Sequence, residues 1–147
     1  MKRILTMALI TLAGLAVLSN VAFSNNHSGK HQVAFHLSSD DPATVNLVFN
    51  NATNVSKHYG KDKVDIQIVA YGPGLKNFLT DSKFLARIRN THDLGNVNYA
   101  LCNNTLKKMK KTKKDLLSDE FVQDAIVPAG VVHLSELQEQ GWSYIRP

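Results

Sequence analysis

The pattern of apolar and polar residues along the chain alternates between strand-like and helix-like segments. Val33, Phe35 and Leu37 recur at every second position, which is typical of an extended strand with one buried side. Residues 64–71 are apolar on parts of both sides, as expected of a central parallel strand. Five strands are predicted in all, at residues 31–37, 64–71, 97–101, 125–127 and 142–145, with the fourth short and buried.

Helices are predicted between these strands from capping residues and from apolar spacing. Asp41 precedes Pro42, and this pair favours a helix start because the carboxylate can accept from free backbone N–H groups. Gly60 is predicted to end that helix. Its buried side is predicted to contain Val45, Val48, Ala52 and Val55. A later helix follows the turn at residues 128–130, with Val131, Leu134 and Leu137 predicted on its buried side.

The alternation of strand and helix, with short connections, decides the fold class. Such a chain forms an α/β domain in which a mostly parallel sheet is covered by helices on both faces. No internal repeat or linker divides it, and the length is that of one domain. We therefore expect one three-layer α/β/α domain.

The amino-terminal segment has the composition of a secretory signal. Lys2 and Arg3 precede an apolar run at residues 4–18, and Ala22 and Ser24 are the small residues of a cleavage site. The run is shorter than the roughly 20 residues that a spanning helix needs, so a stable membrane anchor is not expected. Residues 1–24 are predicted to be a signal peptide that is removed after Ser24, and the mature protein is expected to be periplasmic or secreted.

The mature chain is then residues 25–147, with residues 25–30 as a flexible lead-in before the folded domain at 31–147. The whole sequence has 17 basic and 12 acidic side chains. Loss of Lys2 and Arg3 leaves a formal net charge of +3, which is small for a protein that binds a phosphate backbone. A nucleic-acid partner is therefore not expected.

Cys102 is the only cysteine and the main candidate for chemistry. It lies at the end of a predicted strand, where Asn103, Asn104 and Thr105 begin a helix. Free N–H groups and the positive end of a helix dipole stabilise a thiolate and raise its reactivity. Free cysteines are also often buried and inert, so a reactive thiol and a buried one both remain open at this point.

Four segments that follow strands are expected to converge at the carboxyl edge of the sheet, where ligands of open parallel sheets bind. Gly72 and Gly74 could expose backbone N–H groups to an anion, or could serve only as a tight turn. The substrate-binding residues predicted from this convergence are Gly72, Gly74, Asn103, Asn104, Thr105 and Lys107.

No metal or other cofactor is expected, because the six histidines are scattered and none has a ligand-like spacing to cysteine or a carboxylate. His36 lies inside a strand and could face the edge of the site, but it is interpreted as a structural histidine with its hydrogen bonds satisfied. Six of the eight residues at 107–114 are lysines. Such a run is typical of a solvated helix face, or of a surface that docks an acidic partner or an anion.

Four stretches together resemble the DsrE/DsrF-like family, and they occur in the order found in that family. They are FHLSSDDP at 35–42, AYGPGL at 70–75, CNNTLKK at 102–108 and VPAGV at 127–131. The resemblance covers nearly all of the mature domain. It implies a three-layer α/β/α fold with a five-stranded sheet, and a homo-oligomer that is a trimer or a hexamer.

The resemblance also implies a function for the single thiol. In the relay branch of the family, a cysteine after a central strand accepts sulfur as a persulfide and passes it to the next protein of the relay, which implies a sulfur donor or acceptor protein as partner. Cys102 is the residue that matches it. The leading hypothesis is an exported persulfide carrier, and whether it is an enzyme is left open. The alternative is a non-catalytic module of the same fold that binds a small anion or a protein.

Overall fold

The computed structural model describes residues 29–147. The predicted signal peptide and residues 25–28 of the predicted lead-in lie outside the described residues. The strands are β1 (His31–Leu37), β2 (Val64–Ala70), β3 (Val97–Cys102), β4 (Ile126–Val127) and β5 (Ser143–Ile145). The helices are α1 (Pro42–Tyr59), α2 (Leu85–His92), α3 (Asn103–Lys108), α4 (Glu120–Gln123) and α5 (Gly130–Glu139), with 3₁₀ segments at Gly72–Phe78 and Lys113–Asp115. In residues 29–147 no helix combines the length and apolar character needed to cross a bilayer.

The five strands form one sheet in the order β4-β3-β2-β1-β5, and every neighbouring pair is parallel. The predicted α/β fold with a five-stranded sheet is confirmed, and β2 is the central strand as predicted. Leu37 of β1 is paired with Ala70 of β2, which is paired with Leu101 of β3. The carboxyl ends of the three central strands therefore lie side by side at one edge of the sheet.

Helix α1 begins and ends at the residues that the sequence predicts. The Asp41 carboxylate accepts a 2.9 Å hydrogen bond from the Thr44 N–H, and Pro42 occupies the first turn. Gly60 ends the helix with a φ of +88°, a left-handed conformation that favours glycine. An N-cap hydrogen bond such as that of Asp41 contributes about 1 kcal/mol to helix stability.

One face of the sheet carries most of the hydrophobic core. The side chains that point there from the strands are large, and they pack against α1, α2 and the Gly72–Phe78 segment. The fully buried members include Phe35, Leu37, Phe49, Ile66, Ile68, Leu75, Phe78, Ile88 and Leu101. We call this the α1 face.

The opposite face, which we call the α5 face, is covered by α5 alone within the described residues and is built from small side chains. Ala34, Val69 and Ala100 come from the three central strands and pack against Leu134 and Leu137 of α5. Small residues on the strands allow a helix to approach the sheet closely. Tyr71, Val127 and Trp142 surround this smaller cluster.

Two expectations about buried residues are wrong. Val131 was expected on the buried side of α5, but it is 62% exposed. The buried stripe of the helix is instead Gly130, Leu134 and Leu137, because the helix contacts the sheet through its first glycine. The β4 segment was expected to be buried, but Ile126 and Val127 are only half-buried because β4 is an edge strand.

Candidate functional site

Three ionisable side chains lie on the α5 face at the carboxyl edge of the sheet. His36 is on β1, Tyr71 directly follows β2, and Cys102 ends β3. The His36 and Tyr71 rings are stacked with centroids 4.5 Å apart. Because β1, β2 and β3 are neighbours, the three residues form a row across the edge, with Tyr71 in the middle.

Cys102 ends β3 and occupies the N-cap position of α3, without a capping hydrogen bond from its side chain. The residue is only 5% exposed. It does not belong to either aliphatic core cluster, and its surroundings are the backbone and polar groups that open α3 and α5. The thiol is therefore secluded from bulk solvent but lies in a polar environment.

Thr105 connects the thiol to the loop after β2. The Gly72 N–H donates a 3.0 Å hydrogen bond to the Thr105 hydroxyl oxygen. The same hydroxyl is one of the groups that lower the pKa of the Cys102 thiol. The Gly72 N–H thus fixes the orientation of the group that stabilises the sulfur.

Gly130 brings the amino end of α5 against the same sulfur. A Cβ atom added at Gly130 would lie 3.0 Å from Tyr71 Cδ1, 3.1 Å from Tyr71 Cβ and 3.2 Å from Cys102 Cβ. These distances leave no room for a side chain without a shift of the helix. The absence of a side chain allows the Gly130 N–H to act as a hydrogen-bond partner of the thiol.

The pKa of the Cys102 thiol lies below its ordinary value. Burial acts against ionisation and is the largest single influence. It is outweighed by hydrogen bonds from the Thr105 hydroxyl and from the backbone N–H groups of Gly130, Thr105 and Asn104. The arrangement therefore favours the thiolate, the form of cysteine that acts as a nucleophile.

His36 is the most buried histidine of the described residues at 5% exposure. Its Nδ1 lies 2.7 Å from the Tyr144 hydroxyl of β5, and its Nε2 has no hydrogen-bond partner within residues 29–147. Burial lowers the pKa of His36, and the nearby positive charge of Arg146 lowers it further. Burial raises the pKa of Tyr71, and its proximity to Tyr144 acts in the same direction.

The predicted binding residues divide into two groups. Gly72 and Thr105 contact the thiol environment directly, as described above. The Asn104 N–H is shared between Cys102 and the Pro128 carbonyl, 3.3 Å away. Asn103 is half-buried at the first position of α3, and Lys107 is exposed.

Gly74 is placed away from the thiol. A Cβ atom at Gly74 would lie 2.1 Å from the Leu37 carbonyl oxygen, so the glycine allows two backbone segments to meet. The Gly74 N–H donates to the Tyr71 carbonyl at 3.2 Å, and the Gly72 N–H donates to Thr105. Both N–H groups are used within the protein, which favours the tight turn over an anion-binding loop.

Three contributors to this site were not predicted as site residues, although Tyr71 and Gly130 lie in two of the four segments expected to converge at this edge. Tyr71, Gly130 and Tyr144 belong to a turn, a helix start and an edge strand, and only their three-dimensional neighbours give them a role. The available signal was weak. A glycine at the first position of a helix suggests close approach of backbone to another element.

The lysines at 107–114 are exposed around α3 and the turn that follows it. Lys111 pairs with Asp115 at 3.3 Å and Lys113 with Asp124 at 3.2 Å. Lys107, Lys108, Lys110 and Lys114 have no carboxylate within 4.0 Å in the part of the chain that the structure describes. No group of three histidine, cysteine or carboxylate side chains in residues 29–147 is placed to hold a metal ion.

Comparison with known proteins identifies the family. The model of the DsrE/DsrF-like family matches residues 32–147. A solved protein of unknown function from Methanobacterium thermoautotrophicum is 30% identical, with 80% of this chain and 100% of that chain covered and a TM-score of 0.72. A second, from Bacteroides thetaiotaomicron and also of unknown function, is 20% identical over 79% of this chain and 94% of that chain, with a TM-score of 0.60.

No curated protein of established function matches the chain. The family match extends from β1 to the last residue and includes the row of His36, Tyr71 and Cys102. The chain therefore belongs to the DsrE/DsrF-like family, and this membership suggests a domain of the sulfur-relay type.

Proposed function

We propose that the protein carries sulfur as a persulfide on Cys102. The observation that carries this proposal is the set of hydrogen-bond donors around the sulfur, which outweighs burial and favours the thiolate. The donors come from two helix starts, α3 and α5, that meet at the end of β3. The thiolate is the nucleophilic form of cysteine, so these donors favour the reactive state.

Loading requires a donor with a sulfur–sulfur bond. With thiosulfate, the Cys102 thiolate attacks the outer sulfur, the bond between the two sulfur atoms of thiosulfate breaks, and sulfite leaves with the bonding electron pair. The product is the persulfide anion of Cys102, and the total charge of −3 is the same on both sides. The donors that stabilise the thiolate also stabilise the anionic product. Discharge follows when the thiolate of an acceptor attacks the outer sulfur and Cys102 leaves as a thiolate.

Mass spectrometry of the intact protein tests this directly. After exposure to thiosulfate or polysulfide, we expect a mass increase of one sulfur atom on the wild-type protein, reversible by dithiothreitol. The Cys102→Ser variant should gain nothing, because it has no other cysteine. Absence of the adduct on the wild type, or an equal adduct on the serine variant, would refute the proposal.

A non-catalytic binding module is the second candidate, and the burial of Cys102 favours it. The two functions differ in the accessibility of the thiol. A carrier requires labelling of the native protein by a small reagent such as iodoacetamide, with a rate that follows the thiolate fraction. A binding module predicts labelling only on unfolding, and biological activity that the Cys102→Ser variant retains.

We further propose that the carrier acts after export, with the signal at residues 1–24 removed, and that it assembles into a trimer or hexamer. Exposed apolar residues support self-association: Val131 and Val132 on α5, and Tyr144 and Ile145 on β5. N-terminal sequencing of protein from the periplasm or medium tests the first point. Light scattering after size-exclusion chromatography tests the second, and a monomer at micromolar concentration would refute it.

A donor or acceptor protein is also proposed, and the lysines at 107–114 would dock an acidic surface near Cys102. Such docking is electrostatic, so sulfur transfer between the proteins should slow as ionic strength rises. Transfer to a small uncharged thiol such as 2-mercaptoethanol serves as the control, because a reactant without charge does not depend on the lysines. A rate of transfer between the proteins that does not change with ionic strength would exclude this docking surface.

A further inference from the structure

A cavity of about 430 Å³ lies beside the Cys102 environment, between the loop after β2 and helix α3. The loop contributes Tyr71, Gly72 and Pro73, and the helix side contributes Thr105, Lys108 and Met109. Cys102 does not line the cavity itself, but two lining residues adjoin it: Thr105 is three residues further along from Cys102 in the first turn of α3, and Tyr71 lies with Cys102 against Gly130. A ligand in this cavity would therefore lie next to the group that positions the thiol.

The size and walls of the cavity indicate an organic ligand. Its volume falls within the roughly 300–1,000 Å³ of cavities that bury whole organic molecules. The Tyr71 ring, the Pro73 ring and the Met109 thioether supply apolar surface, which an inorganic anion such as thiosulfate does not use. An occupant that matches this surface has a carbon framework as well as a polar end.

The charge at the cavity indicates an anion. Lys108 is exposed at the rim and has no carboxylate within 4.0 Å in residues 29–147. Lys76 also borders the cavity, but its ammonium group pairs with Asp40 at 2.7 Å. Lys108 is thus the uncompensated positive charge of the lining, and a carboxylate is its natural partner. Lys107, its neighbour in sequence, does not line the cavity.

We propose that this cavity binds a low-molecular-weight organic thiol that carries a carboxylate, in its persulfide form as donor or its thiol form as acceptor. This inference rests on the proposed persulfide function and adds the class of its small reactant. In the loading step the Cys102 thiolate attacks the outer sulfur of R–S–S–H. The sulfur–sulfur bond of the donor breaks, R–S⁻ leaves with the electron pair, and Cys102 holds the S–S–H group. Atoms and charge balance, and no external oxidant or reductant is required.

Binding can be measured without the reaction. S-methylglutathione is an unreactive carboxylate-bearing probe, and the Cys102→Ser variant removes sulfur chemistry from the protein. We expect saturable binding by nuclear magnetic resonance titration, with the largest shifts at Gly72, Thr105 and Met109. Loss of one exposed charge pair weakens binding about two- to fivefold, so Lys108→Gln should show that loss. Lys107→Gln, with the same charge change outside the cavity, is the matched control and should bind like the parent.

The probe also has matched forms that test its chemistry. The dimethyl ester of S-methylglutathione is only slightly larger and lacks the carboxylates, so it should bind the parent more weakly and be insensitive to Lys108→Gln. Thiosulfate should not compete, because it does not fill the apolar walls. Absence of saturable binding, equal effects of the two lysine variants, or full competition by thiosulfate would overturn the inference.

The two proposals can fail separately. If polysulfide loads Cys102 of the wild type but S-methylglutathione does not bind, the carrier function stands and the organic reactant is excluded. If S-methylglutathione binds as expected but no donor loads Cys102, the cavity stands as a binding site and the persulfide function fails.

Discussion

The two faces of the sheet differ in the size of their side chains and in the number of helices that cover them. The α1 face is filled by large side chains such as Phe49 and Phe78, both fully buried, and is covered by α1, α2, α3, α4 and the Gly72–Phe78 segment. The α5 face has Ala34, Val69 and Ala100 at its centre and a single helix over them. The small side chains let α5 approach until Gly130 meets Tyr71 and Cys102. The large side chains of the α1 face stabilise the fold, and the small side chains of the α5 face make room for the site.

This comparison predicts that stability and thiol chemistry can be changed independently. The largest effect is expected on the α1 face, where Phe49→Ala should lower the free energy of unfolding by about 3–5 kcal/mol. The pH dependence of Cys102 labelling in the folded protein should be unchanged, because Phe49 contacts the opposite side of the sheet. Urea unfolding and the rate of iodoacetamide labelling measure the two effects.

The matched variant on the α5 face is Leu137→Ala, since Leu137 is also buried. It should cost about 2–5 kcal/mol and also alter the labelling profile, because α5 positions the Gly130 N–H. Equal changes in the profile for Phe49→Ala and Leu137→Ala would contradict the separation of the faces.

A smaller effect on stability is expected at Gly130. Gly130→Ala forces a methyl group to within 3.0–3.2 Å of Tyr71 and Cys102, and overpacking of this kind costs about 1–3 kcal/mol. Displacement of α5 removes a hydrogen bond to the sulfur, so the pKa of Cys102 should rise and labelling should need higher pH. Ser135→Ala, at an exposed position of the same helix, is the control and should leave both quantities unchanged. A Gly130→Ala protein with an unaltered labelling profile would remove Gly130 from the site.

The hydroxyl of Thr105 is expected to have a more local effect. Thr105→Val removes a hydrogen bond to the sulfur and the acceptor of the Gly72 N–H, so the pKa of Cys102 should rise at a stability cost of about 1 kcal/mol. Thr105→Ser keeps the hydroxyl and should restore the pH profile of labelling. Thr53→Val removes a comparable 2.8 Å hydrogen bond, to the Phe49 carbonyl of α1, and should leave the profile as it was. Failure of the serine variant to restore the profile would exclude the hydroxyl as the cause.

The smallest predicted effect is the pH dependence from His36. Burial holds the pKa of this imidazole below the ordinary value of 6.5, so the unfolded chain takes up the proton first as pH falls. The stability that neutral His36 contributes is fully present above pH 6.5. It is lost as the pH falls from 6.5 towards the lower pKa of His36 in the folded state. Between about pH 7.5 and 5.5, the wild type should therefore lose more stability than His36→Gln. His58→Gln, at an exposed position of α1, should retain the wild-type slope, and a His36→Gln slope equal to it would contradict the prediction.

Much of the fold could be predicted because its signals are local. The alternation at residues 31–37 and the Asp41–Pro42 start of α1 depend on neighbours in sequence, and both agree with the structure. The rotation of α5 could not be predicted this way. Val131 is more apolar than Gly130, so hydrophobicity points Val131 inward, whereas close packing against Cys102 turns the glycine inward instead.

The same reason limits what sequence alone says about the site. Cys102 and Thr105 could be selected because the strand end and the helix start are adjacent in the chain. The pair of His36 and Tyr144 joins residues 108 positions apart, and it exists because the last strand adds to the edge of the sheet beside β1. The rim of the cavity likewise contains Lys108 rather than Lys107, which depends on how α3 is rotated.

The burial of Cys102 has a consequence for oxidation of the protein by air. A disulfide between two copies would need their Cα atoms to approach within about 7 Å, and Gly130 and Tyr71 occupy the space over the Cys102 Cβ. Covalent dimers through this sulfur are sterically blocked while the domain is folded. A non-reducing gel of aerated native protein should therefore contain only single chains. A reactive group must be narrow to reach the sulfur. The fold therefore limits which oxidants and which sulfur compounds can react with Cys102.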